Sequence, residues 1–200
     1  MQKKDVIYII GCGGHARSVA DVLISNGTKS IVFVDNHGRP GETVLGFPVI
    51  TALPEGIMAV HVASGDNQTR ANYGALNSVT IIAANAYISG SCQIGEGSFI
   101  AHNAYCAVEA QIGKGCIINT GAVVEHQVIV GNYTHIAPNS TICGKCRIGN
   151  NVLIGAGTTI KPGITIADNI VVGSGAVIVS DLTEPGIYFG VPARLQKKSI

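Results

Sequence analysis

The sequence predicts a two-part molecule: an α/β unit large enough for one half of a dinucleotide-binding fold, followed by a parallel β-helix of triangular section. Three observations carry that reading. An aliphatic residue recurs at every sixth position but one from Ile82 to Ile178, an apolar run at residues 6–10 breaks into a glycine-rich turn, and a second apolar run at residues 31–34 closes on Asp35.

In chain order, residues 6–10 suit a buried parallel strand. Gly11, Gly13 and Gly14 follow at once, and Ala16, Val19, Ala20, Val22 and Leu23 then form a helical stripe that ends near Asn26 and Gly27. With the strand that closes on Asp35 this is a βαβ unit. Its first turn sets backbone N–H groups at a helix N-terminus, an anion-binding arrangement. A third strand is expected over residues 59–63, a capped turn over Ser64, Gly65, Asp66 and Asn67, and a helix over residues 67–76 carrying Arg70. Pro48, Pro54 and Gly56 mark the intervening loops. Residues 1–78 therefore read as a half-Rossmann βαβαβ domain, too short for two mononucleotide halves.

The six-residue column then runs for seventeen positions, all Ile or Val except Cys106. The residue after each is mostly small, and the fourth residue after each is mostly Ala, Ser, Thr, Val or Cys. A period of six matches neither a helix nor simple alternation. It matches a prism whose short strands lie on flat faces and whose corners need residues tolerant of positive φ. The aliphatic column points inward and stacks from coil to coil. At ~4.8 Å between stacked strands, five to six coils stand roughly 25 Å tall. An internal repeat of this length, over residues 79–182, outranks other signals. Past Ile178 it fades, and residues 183–200 read as a cap that ends in a polar tail at residues 196–200.

Only 12% of residues are charged and the net charge is +1, so there is no basic field for a nucleic acid or an anionic membrane. No run of eighteen apolar residues is present. Residues 1–5 lead into the first strand without a cleavage signature, and the cysteines mostly fall on columns of the repeat. A reducing cytoplasm is the expected compartment. Cys143 and Cys146 have the C-x-x-C spacing, but a redox or zinc reading needs a thioredoxin-like helix start or a second ligand pair. Neither is visible, so both read as small residues of the repeat, and no metal is expected.

Two places carry candidate chemistry. The glycine turn can cradle phosphates while Asp35 meets a ribose or base; the plainer alternative is a tight turn with no ligand. In the prism the small-residue rule breaks where Asn119 follows Ile118 and Glu125 follows Val124, with His126 next and His135 nine residues on. Such histidines are usually surface residues, but rule-breaking positions are often functional, and a neutral imidazole is a good general base.

The order of these motifs resembles the sugar acetyltransferases of the PglD/NeuD type over nearly the whole chain: Gly-x-Gly-Gly-His-Ala, a hexad repeat with Glu125 and His126, and Gly190-Val191-Pro192-Ala193-Arg194. The resemblance implies a left-handed β-helix, where the usual crossover rule gives a right hand. It also implies a bacterial homotrimer that transfers acetyl from acetyl-CoA to the amine of a nucleotide-linked aminodeoxy sugar, such as a 4-amino-4,6-dideoxy hexose, in lipopolysaccharide or O-antigen synthesis. By resemblance, Gly11, Gly13, Gly14, His15, Asp35 and Gly65 fall on the nucleotide-sugar side. His126 matches the general base with Glu125 beside it, and the N–H of Gly144 matches a donor to the thioester carbonyl. Asn119 and His135 match neighbours of the acetyl group, and Gly173, Gly190 and Pro192 match contacts to the coenzyme. One position departs: members often carry Asp or Glu after the catalytic His, and here it is Gln127, which can orient an imidazole but carries no charge. O-acetylation of sialic acid or a related sugar is the neighbouring alternative. A non-catalytic β-helix scaffold is the third, and it needs neither the histidines nor the glycine turn.

Overall fold

The computed structural model describes residues 6–198 apart from 58, 75 and 77. Residues 1–5, read above for a leader, part of the helix expected over 67–76, and 199–200 at the end of the expected tail lie outside the described residues.

The N-terminal sheet has the order β3-β4-β2-β1-β5. Its strands are β1 (Ile7–Ile10), β2 (Ile31–Val34), β3 (Thr43–Val44), β4 (Phe47–Ile50) and β5 (Val60–Val62). The short runs of β1, β2 and β5, apolar but for Tyr8 and His61, pair in parallel, with β1 between the other two. Helix α1 (Gly14–Ser25) turns its buried stripe of Ala16, Val19, Ala20, Val22 and Leu23 to the core. Helix α2 (Asn67–Asn72) is shorter than the expected 67–76; Asp66 caps it by accepting the Thr69 N–H at 2.7 Å.

Pro48, expected to mark a loop, lies instead in a strand: β4 contains it and runs parallel to β2 through Phe33–Val49 and Val34–Ile50. Proline is tolerated because β4 has only the two-residue strand β3 on its other side, near the sheet edge.

The second part is a left-handed parallel β-helix, built of two-residue strands on three faces. The first face includes Phe99–Ile100, Ile117–Ile118, His135–Ile136 and Leu153–Ile154; the second, Tyr105–Cys106, Val123–Val124 and Thr141–Ile142; the third, Gln111–Ile112, Ile129–Val130 and Arg147–Ile148. Each residue pairs with the one eighteen positions on, as Ile117 with His135. Ile118, Val124, Ile136, Ile142, Ile154 and Ile160 are fully buried on the axis. Burying each such side chain is worth about 1.5–3 kcal/mol. Every sixth residue from Gly97 to Gly175 has positive φ, and the set includes Glu109, Gln127, Tyr133 and Lys145 as well as Gly and Asn. Corner geometry thus overrides residue preference at those positions. The buried hydroxyls of Ser98, Thr134 and Ser140 donate to the carbonyls of Gly113, Gly149 and Gly155, so the polar residues of the small column are satisfied.

The outward residues of the first face differ from those of the other two. Ile81, Phe99 and Ile117 are buried because the N-terminal domain packs on them, in one cluster with Ala16, Val19 and Phe33. Asn26 tightens the junction: its amide donates to Ile82 O at 2.7 Å and its carbonyl accepts the Ala84 N–H at 2.9 Å. At the C-terminus, residues 196–198 form strand rather than the expected polar tail. A hairpin of Gly186–Gly190 and Ala193–Lys198 pairs with Ile170–Val172 and closes that end of the first face. Antiparallel pairing captures a polar segment that hydropathy leaves outside the fold.

Candidate active site

A cleft of about 710 Å³ opens at the carboxyl ends of β1, β2 and β5, where α/β sheets bind their ligands. Gly11, Gly13, Gly14, His15, Asp35 and Gly65 all line it. Gly11 has φ +99°, and a Cβ there would press on the Ala63 carbonyl at 3.2 Å. A Cβ at Gly13 or Gly14 would meet nothing within 4 Å, so these two glycines leave open space above the turn. The carboxylate of Asp35 accepts the His37 N–H at 3.0 Å and the Cys12 thiol at 3.1 Å. These bonds, the backbone one first, hold it below the usual carboxylate range, and the same contact followed by burial pushes the Cys12 thiol up.

The inner wall of this cleft meets the first face of the prism. His15 stands edge-on to Phe99 with ring centroids 5.3 Å apart, and 6.3 Å from His135. Asn119 Oδ1 accepts the Thr120 N–H at 2.8 Å, which orients its amide so that Nδ2 donates to His135 Nε2 at 3.1 Å. His135 Nδ1 then carries its hydrogen toward the Gly65 carbonyl at 3.3 Å. Both nitrogens of His135 are engaged, and burial with the nearby Arg70 charge lowers its pKa to about 4. Burial, followed by the charges of His135, His61 and Arg70, lowers His15 to about 3. The Nε2 of His15 is buried without a protein partner, the one such side-chain atom among the described residues. The His15 ring is thus held neutral, with that nitrogen enclosed by protein.

His126 lies elsewhere. It sits at the corner between the second and third faces, the apex opposite the first face. Its ring is exposed, makes no hydrogen bond among the described residues, and rests over the Cα of Gly144 one coil on. Any Cβ at position 144 would overlap the imidazole. Among the described residues the Gly144 N–H has no acceptor, since its neighbours Cys143 and Lys145 take the ladder positions. The Glu125 carboxylate accepts the backbone N–H of His126 at 3.2 Å rather than meeting the ring. Gln127, at φ +58°, turns away and donates to Glu109 at 2.9 Å.

The structure therefore brings Asn119, His135, His15 and Gly65 together, and separates them from Glu125, His126 and Gly144. Gly173 is beneath the C-terminal hairpin, its N–H bonded to Tyr188 O at 2.8 Å, and Gly190 (φ +107°) and Pro192 form the hairpin turn. Three residues were not singled out as site residues. Cys12 contacts Asp35, His61 is buried with Nδ1 directed at Val79 O at 2.9 Å, and Arg70 is buried at the junction. Polar residues inside an apolar strand (His61) and inside the glycine turn (Cys12) were the available signals. Arg70 had none, because most of its partners are backbone carbonyls.

An exposed imidazole above a corner glycine on a triangular β-helix, joined to a Rossmann-type cleft, defines the class: a hexapeptide-repeat acyltransferase. The PglD N-terminal domain family matches residues 6–74, and the bacterial transferase hexapeptide family of six repeats matches residues 109–144 and 145–180. PerB from Caulobacter crescentus, solved with CoA and GDP-perosamine, is 34% identical with a TM-score of 0.88, covering 98% of each chain. The acetyltransferase domain of PglB from Neisseria gonorrhoeae, solved with acetyl coenzyme A, is 30% identical with a TM-score of 0.89, covering 96% of this chain and 99% of that one. WeeI from Acinetobacter baumannii is 25% identical with a TM-score of 0.87, covering 96% and 100%. No curated protein sequence matches significantly. This chain belongs to the PglD/NeuD-type family of sugar acetyltransferases and is an acetyltransferase.

Proposed function

We propose that the protein transfers acetyl from acetyl-CoA to the amine of a nucleotide-linked aminodeoxy sugar, in the cytoplasm and as a homotrimer, in bacterial surface-glycan biosynthesis. The observation that carries this reading is the division of the candidate residues between two corners. Asn119 and Gly173 lie on the corner between the first and second faces, while His126 and Gly144 lie on the next. A coenzyme touching both rows has to lie between two prisms, with the first corner of one copy facing the second corner of its neighbour. The second face between them is suited to such packing. Its outward residues are Tyr87, Tyr105, Val123, Thr141, Thr159 and Val177, with no charge among them. His126 is also too far around the prism to serve its own cleft, so a neighbour's cleft would deliver the sugar. PerB's complex with CoA and GDP-perosamine supports the same pairing of substrates.

The chemistry follows from the free groups at the corner. The sugar amine attacks the thioester carbonyl carbon and forms the C–N bond, while His126 takes a proton from the nitrogen. The Gly144 N–H donates to the carbonyl oxygen as negative charge builds there. The C–S bond then breaks, and the departing thiolate is protonated by the imidazolium. Glu125 steadies the backbone at His126, and the Asp35 carboxylate accepts from ribose or base.

The test is acetyl transfer measured with a panel of nucleotide-linked amino sugars, with free sialic acid as the competing O-acetylation substrate, together with sedimentation at micromolar concentration. Turnover of an amino sugar by a trimer is the expected result. A stable monomer, or turnover of sialic acid alone, overturns the reading.

A further inference from the structure

Arg70 is 3% exposed at the junction of the two domains. Among the described residues it forms no ion pair with a carboxylate. Its guanidinium is instead spread over neutral acceptors. Nε donates to Gly115 O at 2.8 Å and Nη2 to Tyr133 O at 2.9 Å. Nη1 donates to Ser64 O at 2.9 Å, and Nη2 also to Asn67 Oδ1 at 2.7 Å. Gly115 and Tyr133 are the positive-φ residues of one corner on successive coils. Asn67, held by Arg70, donates in turn to Val152 O at 3.0 Å, one coil further. Four donors thus tie the end of β5 and the start of α2 to three successive coils. The tied segment carries Gly65, which lines the cleft and accepts from His135.

A buried cation that no carboxylate contacts directly is costly, and an apolar residue of similar size would hold two domains together at less expense. What the guanidinium adds is a planar fork that reads several carbonyls in one geometry. We propose that Arg70 is a positioning residue: it sets the height of the nucleotide-side cleft on the prism and thereby holds Gly65 against His135 and, through it, Asn119. The consequence for turnover rests on the function proposed above; the consequence for His135 does not.

The groups that face this cation are His15 from α1, His61 from β5, Asp66 from the α2 cap, and Cys116 and His135 from the prism. Burial itself brings Arg70 down to about 10, so it stays charged at neutral pH. Its charge adds to burial in keeping His15, His61 and His135 neutral.

The experiment compares Arg70→Met and Arg70→Lys with the unaltered protein. Turnover is measured below each variant's Tm, and His135 is followed by NMR of 15N-labelled imidazole across pH. Misplacing a site by ~1 Å costs about 10²-fold, so Arg70→Met should lower kcat by about that factor while KM for acetyl-CoA changes less than about twofold. Arg70→Lys keeps the charge without the fork. It should leave most of the rate loss in place while retaining more of the downward shift of His135 than Arg70→Met does. His135 should leave its Nδ1–H tautomer in Arg70→Met, a change that mere loss of stability would not produce. Wild-type kcat in Arg70→Met, or an unchanged His135 tautomer and titration, overturns the proposal. If the unaltered protein acetylates no amino sugar, the functional reading fails, and the NMR comparison still decides the role of Arg70.

Discussion

His135 and His126 stand nine residues apart on one prism and are held in opposite ways. His135 projects from a flat face beneath the N-terminal domain, with one nitrogen accepting from Asn119 and the other directed at Gly65 O. His126 projects from a corner, exposed, with its ring over a glycine and no hydrogen bond from that ring among the described residues. The prism offers both environments within half a coil, because each step of six residues turns the chain by one face. An imidazole whose two nitrogens are committed can position its neighbours. One whose nitrogens are free can move a proton. The contrast can be broken or sharpened by four measurements.

The largest effect belongs to the histidines at the domain junction. His15, His61 and His135 stay neutral in the folded chain down to about pH 3 to 4, chiefly through burial. In the unfolded chain an imidazole takes up its proton below about pH 6.5. Between those limits the unfolded state binds more protons, so stability is fully present above pH 6.5 and is lost as pH falls through the window. Each imidazole costs roughly 1.4 kcal/mol per pH unit inside it. Tm should therefore drop steeply between pH 7.5 and pH 5, and His135→Asn should flatten that slope. A level Tm across the range would remove the difference between the two kinds of site.

Next is His126 itself. General base catalysis is worth ~10²–10⁴-fold, so His126→Ala should lower kcat by about that much with little change in either KM. Near-full activity at pH 7.5 would move the base elsewhere.

Gly144→Ala is a finer probe. The added methyl overlaps the imidazole, which is the movable end of a side chain, so the ring swings aside and the coil survives. A displaced base should cost about 10–10²-fold in kcat with Tm nearly unchanged. An unaltered rate would show that the ring's seat over Gly144 is irrelevant to turnover.

The smallest effect is expected on the other side of the molecule. A Cβ at Gly13 would meet nothing within 4 Å, so Gly13→Val should fold normally and fill space above the turn. Calorimetry should show nucleotide affinity reduced by roughly tenfold, about 1.4 kcal/mol, with coenzyme binding unchanged. Equal loss of both would make the turn structural.

The repeat was legible because its information is local. Small or turn-forming residues at most corners and an aliphatic at every sixth position place each residue by arithmetic alone, and the observed register of eighteen agrees throughout. The strand around Pro48 and the C-terminal hairpin were not legible, since each depends on a partner strand more than on its own composition. Of the candidate site, the cleft residues lie together, and Asn119 and Glu125, six residues apart, lie on successive corners as the period requires.

By itself, then, the sequence determined the period, the axis-facing column and the face or corner to which each prism residue belongs, because a coil of fixed length converts position into direction. It also determined the glycine turn, which needs only the strand before it and the helix after it. Only the tertiary structure decided which face the N-terminal domain covers, and therefore which histidine is half-buried and which is exposed. That choice is made by contacts distant in sequence, Phe99 and Ile117 against the N-terminal core and Arg70 on the carbonyls of Gly115 and Tyr133. A carbonyl is the same at every residue, so nothing in the order of side chains announces which of them a buried guanidinium will hold.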